Sequence, residues 1–147
     1  MKIKSVKTAI GNFNSIYSEA GLVRLEYIEN EIPSYPSDQQ LQKYLNSFFK
    51  RSAKLKNLPL LDLQGSYFQL KVWHALCAIP RGSTVSYKEL AAEIGLPGAS
   101  RAVGTACRLN PIPLFIPCHR VIKKDGSIGE FALGVKNKKF LLEMEAA

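Results

Sequence analysis

No histidine or cysteine occurs in the first 73 residues of this 147-residue chain, and the whole of it holds only two histidines and three cysteines. A soft-ligand metal site is therefore excluded from the N-terminal half. Without any Cys-x-x-Cys the remainder offers no zinc-type spacing either, so no metal is expected. Cys77, Cys107 and Cys118 are odd in number and irregular in spacing, which is not a disulfide framework. No apolar run approaches the roughly 18 residues a membrane span needs. The opening MKIKSVKTAI lacks the apolar core of a secretory signal. A soluble, cytoplasmic protein is expected. No repeat, low-complexity tract or coiled-coil pattern calls for a partner copy, and a monomer is expected.

Acidic residues are missing from one long window. None lies between Glu93 and Asp125, where Arg101, Arg108, Arg120, Lys123 and Lys124 fall. The formal net charge is +8. Such a balance points to an anionic partner, most often nucleic acid, although small proteins are also basic for solubility alone. A hydrophobic share of 46% is enough for a packed core.

The first 30 residues read as strands, in IKSV, SIYS and LVRLEYI, with Glu19-Ala20-Gly21 a turn between two of them. After Pro36, Ser37 and Gln40 have capping-box spacing, and Leu41, Tyr44, Leu45, Phe48 and Phe49 form the apolar face of a helix. Residues 57–65 read as a linker with one short extended piece. Helices then dominate. Ser66 and Gln69 open one with Phe68, Val72, Leu76 and Ile79 on its stripe, broken by Pro80-Arg81-Gly82. Ser86 and Glu89 open a second, which Gly95 ends. The turn LPGAS leads to RAVGTACRLN, which must stop before Pro111. Two short helices joined by a tight turn make a helix-turn-helix. On the second, Arg101, Thr105 and Arg108 share a basic face, while Ala102, Val103 and Ala106 fill the other. That face is either merely solvated or meets DNA. Small residues at Ala99, Ser100, Ala102 and Gly104 would let the backbone approach a groove. In the last helix, from about Val135, Phe140, Leu141 and Met144 should pack, with Lys136, Lys138, Lys139, Glu143 and Glu145 mostly outward.

The reactive candidate is Cys118 in IPCHRVI. A free thiol is only slightly ionised at neutral pH and needs a base or a positive field to become a nucleophile. His119 and Arg120 follow it directly, and Phe115, Ile116 and Pro117 supply a dry, rigid approach. The alternative is a small core hydrophobe, which is the reading for Cys77 and Cys107.

STVSYKELA, RAVGTACRLNP and IPCHRV together resemble the signature of the O6-alkylguanine-DNA alkyltransferases, also called methylated-DNA–protein-cysteine methyltransferases. The match runs without a gap from about Phe68 to Glu145. The N-terminal third fits only in size and element order. The resemblance implies an α+β protein: residues 1–60 a small ribonuclease-H-like domain, residues 61–147 a winged helix-turn-helix domain. It implies single-turnover transfer of an alkyl group from O6-alkylguanine, or O4-alkylthymine, in double-stranded DNA to Cys118, without cofactor. His119 would be the base, acting through a water, and Glu145 would orient it. Asn110 would be the hinge and Tyr87 the proton donor to the ring. Arg101 would enter the duplex, with Arg108 and Arg120 among the phosphate contacts. Val121, Phe131 and Ala132 would border the base pocket.

The chain departs from the family at GSIGEFALGVK. Phe131-Ala132 stands where Tyr-Ser is usual and Leu133 where glycine is common. Two hydroxyl donors are thereby lost, which predicts slower transfer, and Leu133 would narrow the pocket. The competing readings are a damage-recognition protein that binds without transfer, and a cysteine hydrolase, for which no oxyanion site is evident.

Overall fold

The computed structural model describes residues 1–50, 55 and 58–146. The chain divides into two compact units, Met1–Gln64 and Gly65–Ala147. The break falls inside the stretch read as linker, of which Asn57 lies outside the described residues.

The first unit is an antiparallel sheet of β1 (Lys2–Thr8), β2 (Gly11–Tyr17) and β3 (Leu22–Glu29) in that order, with helix α1 (Gln39–Phe48). Alternation along the strands sends Val6, Phe13, Leu22 and Leu25 inward, and α1 contributes Leu41, Leu45 and Phe48. Gly21 is dictated by space: a Cβ there would lie 2.5 Å from the Leu60 carbonyl oxygen. The expected Ser37–Gln40 capping box does not form. Asp38 caps the helix instead, accepting from the Leu41 N–H, because its carboxylate also receives the Ser15 and Tyr17 hydroxyls, at 2.8 and 2.5 Å. One carboxylate thus satisfies helix and sheet together.

The second unit is mostly helical: α2 (Tyr67–Cys77), β4 (Val85–Ser86), α3 (Tyr87–Glu93), α4 (Ser100–Arg108), a 3-10 turn (Cys118–Arg120), β5 (Val121–Ile122) and α5 (Val135–Ala146). Both expected capping boxes, Ser66–Gln69 and Ser86–Glu89, are formed. Gly95, at φ +80°, ends α3 as expected. The parallel pair β4–β5 carried no signal in sequence, being two residues long on each side. Val72, Leu76, Leu90, Val103, Ile112, Ile116, Val121 and Leu141 make the core. The Trp73 indole N–H donates to the Ala106 carbonyl at 3.0 Å and ties α2 to α4.

Three expectations fail here. Cys77 is exposed, not core, while Cys107 is buried. Ala102 is exposed, so Val103, Ala106 and Cys107 form the inner face of α4. In α5, Lys138 and Glu145 point inward and Phe140 is 44% exposed. The spacing of Lys138, Leu141 and Glu145 is one helical stripe, and the stripe outranks the polarity of its members because each polar end finds a partner. The architecture is a mixed α+β fold.

Candidate active site

The site is assembled around the chain reversal between α4 and the 3-10 turn. Pro111 bars further helix, and Leu114 adopts φ +77°, a left-handed conformation that costs a non-glycine residue roughly 1–3 kcal/mol. Asn110 holds the reversal together. Its Oδ1 accepts from the Ile112 N–H at 2.9 Å. Its Nδ2 donates to the Ile116 carbonyl at 2.7 Å and to Cys118 Sγ at 3.1 Å.

Cys118 is only 5% exposed, yet it lines a cleft of about 550 Å³. The same cleft is bordered by Tyr87 of α3, by Ser100, Arg101, Gly104, Thr105, Cys107 and Arg108 of α4, and by Lys123, Glu130, Phe131 and Ala132. The basic face of α4 and the loop before α5 both border it. The size falls within the range of pockets that enclose a small molecule or a single base.

Behind the sulfur lies a buried charged row. His119 is fully buried, and its Nε2 is 3.0 Å from Glu145 Oε1. Arg120 bonds the same carboxylate through both of its oxygens, Nε to Oε1 at 2.9 Å and Nη2 to Oε2 at 2.8 Å. Its Nη1 donates to the Ile79 carbonyl at 2.7 Å. The phosphate contact expected of Arg120 is thereby corrected: the side chain is 8% exposed and its donors are committed inside the protein. Val121 is corrected too. It is fully buried in β5 and does not border the cleft; its carbonyl accepts from Lys138 Nζ at 2.6 Å. Leu133 is half-buried and likewise off the cleft wall; its carbonyl accepts from Asn137.

Electrostatics follow from burial. Burial pushes the Cys118 thiol up, against the Asn110 hydrogen bond and the Lys138 charge, which favour the thiolate. Burial pushes His119 down, against the attraction of Glu145, so the resting imidazole is neutral. Burial also disfavours a charged Glu145, but the Arg120 and His119 contacts outweigh it and hold the carboxyl at about 2. Tyr87 is pushed up to about 12, first by burial and then by its neighbours Cys107, Cys118 and Glu130, whose ionised forms would repel a phenolate. It keeps its proton at neutral pH. The cleft presents a protonated sulfur and a phenol that can donate, and a neutral imidazole beside an ionised carboxylate lies behind it.

Of the residues singled out in sequence, Cys118, Tyr87, Phe131, Ala132, Arg101, Ser100, Gly104, Thr105 and Arg108 border the cleft, while Asn110, His119 and Glu145 stand behind it. Ala99 is the N-cap residue of α4 and Ala102 faces solvent, neither on the wall. Missed in sequence were Cys107, Lys123, Glu130 and, above all, Lys138. Lys138 is fully buried, donates to the Val121 and Glu130 carbonyls, and lies 5.9 Å from the centre of the Tyr87 ring. Its place on the Leu141–Glu145 stripe was the available signal.

Comparison with known proteins defines first the class. Residues 67–147 match the family described as 6-O-methylguanine DNA methyltransferase, DNA binding domain. A methylated-DNA–protein-cysteine methyltransferase of Methanosarcina barkeri is 40% identical over 150 residues, covering 95% of this chain and 94% of its own length. The crystal structure of Mycobacterium tuberculosis OGT in complex with DNA superposes with a TM-score of 0.87 at 36% identity, covering 98% of this chain and 92% of the other. The regulatory protein ada of Salmonella typhimurium is 54% identical over 92 residues, a match that takes in 63% of this chain but only 26% of that longer protein. This chain belongs to the methylated-DNA–protein-cysteine methyltransferase family.

Proposed function

We propose that the protein repairs DNA by direct reversal, moving an alkyl group from O6 of guanine in duplex DNA irreversibly onto Cys118. The observation that carries the reading is Cys118 Sγ on a cleft bordered by the basic face of α4, held by the Asn110 amide at 3.1 Å, with the next residue, His119, paired to Glu145 at 3.0 Å behind the cleft.

The target atom is buried in the duplex, so the damaged base leaves the stack, at a cost of a few kcal/mol. Arg101 fills the gap. Arg108 and Lys123 meet phosphates, and small residues at Ala99, Ser100, Ala102 and Gly104 let α4 lie close to the groove. The expelled base enters the cleft against Phe131 and Ala132. Glu145 accepts the Nε2–H of His119, which leaves Nδ1 to take the Cys118 proton through a bridging water. The thiolate attacks the alkyl carbon. The S–C bond forms, the C–O6 bond breaks, and the electron pair goes to the guanine. Tyr87 donates its proton to the ring and is reprotonated afterwards, so that guanine leaves neutral. The thioether has no route back to thiol, and each molecule acts once. No cofactor enters the scheme.

In this reading residues 1–60 are a ribonuclease-H-like domain and 61–147 a winged helix-turn-helix, with β4 and β5 as a small wing beside α3 and α4. The protein acts as a cytoplasmic monomer; among the described residues no helix is long and apolar enough to cross a membrane. One observation favours a second reading, recognition of alkylated DNA with little transfer: neither Phe131 nor Ala132 offers a hydroxyl to O6.

Intact-mass measurement decides between them. Incubated with a duplex bearing O6-methylguanine, the chain should gain one methyl in place of one hydrogen, stoichiometrically, and Cys118→Ala should gain nothing. Tight binding without mass gain would establish the second reading.

A further inference from the structure

Arg120 is the residue whose sequence role the structure overturns, and its new surroundings point to another. Glu145 lies in the last turn of α5, one residue before the helix ends at Ala146. Unsatisfied carbonyls make that end negative, so a carboxylate is disfavoured there unless a cation compensates. Arg120 supplies the cation from the 3-10 turn that also carries Cys118 and His119. Its planar fork grips both carboxylate oxygens, and the third donor direction is spent on the Ile79 carbonyl just beyond α2. A lysine could not bridge the three acceptors in this way. Oxygen Oε1 is shared: it meets Arg120 Nε at 2.9 Å and His119 Nε2 at 3.0 Å.

We propose that Arg120 is a positioning residue for alkyl transfer, clamping Glu145 by both oxygens so that the carboxylate orients His119 without drawing a second proton onto it. The proposal rests on the alkyl-transfer reading. A carboxylate facing only an imidazole would attract the imidazolium more strongly, against the burial that disfavours it, and leave less of the ring free to accept the thiol proton. Shared with a guanidinium, its attraction is divided. The other charges near the ring act in the same direction: Lys138 of α5 also disfavours the imidazolium, while Phe131 meets the ring edge-on and adds no charge. Arg120 therefore does two separable things. Its charge sets where His119 titrates, and its fork sets where the carboxylate sits.

The test is the single-turnover rate of methyl transfer to the full-length chain, measured against pH, for wild type, Arg120→Gln and Arg120→Lys, with melting curves as a check on folding. In wild type the rate falls on the acid side as His119 takes up a proton. Arg120→Gln should move that limb to higher pH by about one unit, roughly a tenfold loss at a pH on the limb. Arg120→Lys should leave the limb in place but lower the plateau about tenfold, because a point charge cannot hold both oxygens. A loss in Arg120→Gln that is uniform across pH would assign Arg120 to structure alone and overturn the proposal. If Arg120→Gln does not fold, Arg120→Lys decides: a lowered plateau supports the clamp, and a wild-type plateau overturns it. Absence of methyl gain in wild type would instead sink the alkyl-transfer reading, and this proposal with it.

Discussion

Each unit of the chain buries one carboxylate at a helix end, and the two are built for different ends. Among the described residues Asp38, 3% exposed, receives neutral donors: the Ser15 and Tyr17 hydroxyls and the Leu41 N–H. Glu145, 6% exposed, receives a guanidinium and an imidazole. Neutral donors hold their protons through any ordinary pH, so the Asp38 cluster is a fixed joint. Burial and the Asp38 carboxylate even push the Tyr17 hydroxyl far above its usual range. An imidazole, by contrast, changes charge, and beside a thiol it gives that change somewhere to go. Burial of a carboxylate does not mark a functional site; the titratability of its partners does.

The sharpest way to break this contrast is to remove each carboxylate. Glu145→Gln should slow single-turnover transfer roughly 100-fold, the scale of a disabled general base. Asp38→Ala should cost about 1–3 kcal/mol of stability, read by denaturant unfolding, with the transfer rate per folded molecule within about twofold of wild type. Equal slowing by the two variants would end the distinction. Next in size is Arg101→Ala, expected to weaken reaction with duplex substrate about tenfold or more while barely changing reaction with a free alkylated base. An equal loss on both substrates would remove Arg101 from the duplex gap.

The contrast extends to acid. Glu145 titrates below its unfolded value, so its contribution to stability is present above the ordinary carboxylate range near 4.3 and is lost as pH falls toward about 2. His119 is also held down, so protons favour the unfolded chain once pH drops below the free histidine value of about 6.5. Melting temperature should therefore decline in two stages on acidification. In Glu145→Gln the lower stage should shrink, and in Asp38→Ala it should persist; persistence in both would contradict the assignment. The smallest effect is expected from Ala132→Ser, which restores one neutral donor at the cleft and should speed transfer about fivefold. No change in rate would mean that O6 is served by other donors.

Legibility in sequence tracked range. Capping boxes at Ser66 and Ser86 span three residues, and both were readable because their chemistry is local. The competition that Asp38 won over Ser37 was not, since its deciding bonds come from Ser15 and Tyr17, more than 20 residues away. The motif from Arg101 to Val121 announced Cys118, His119 and Asn110. It misdirected on Arg120, because a basic residue in an acid-free window reads as a phosphate contact until Glu145 is seen to reach it from 25 residues downstream. Polarity alone points Lys138 outward, and the packing turns it in.

Residue order by itself determined most of the element types, the adjacent cysteine and histidine, the basic face of α4 and the absence of metal-type spacing, because each is written within a turn or two of chain. Tertiary structure alone decided which charges are buried. Lys138 goes inside because two carbonyls converge on it, and Arg120 because a carbonyl and a carboxylate from other segments do; that convergence is a property of packing.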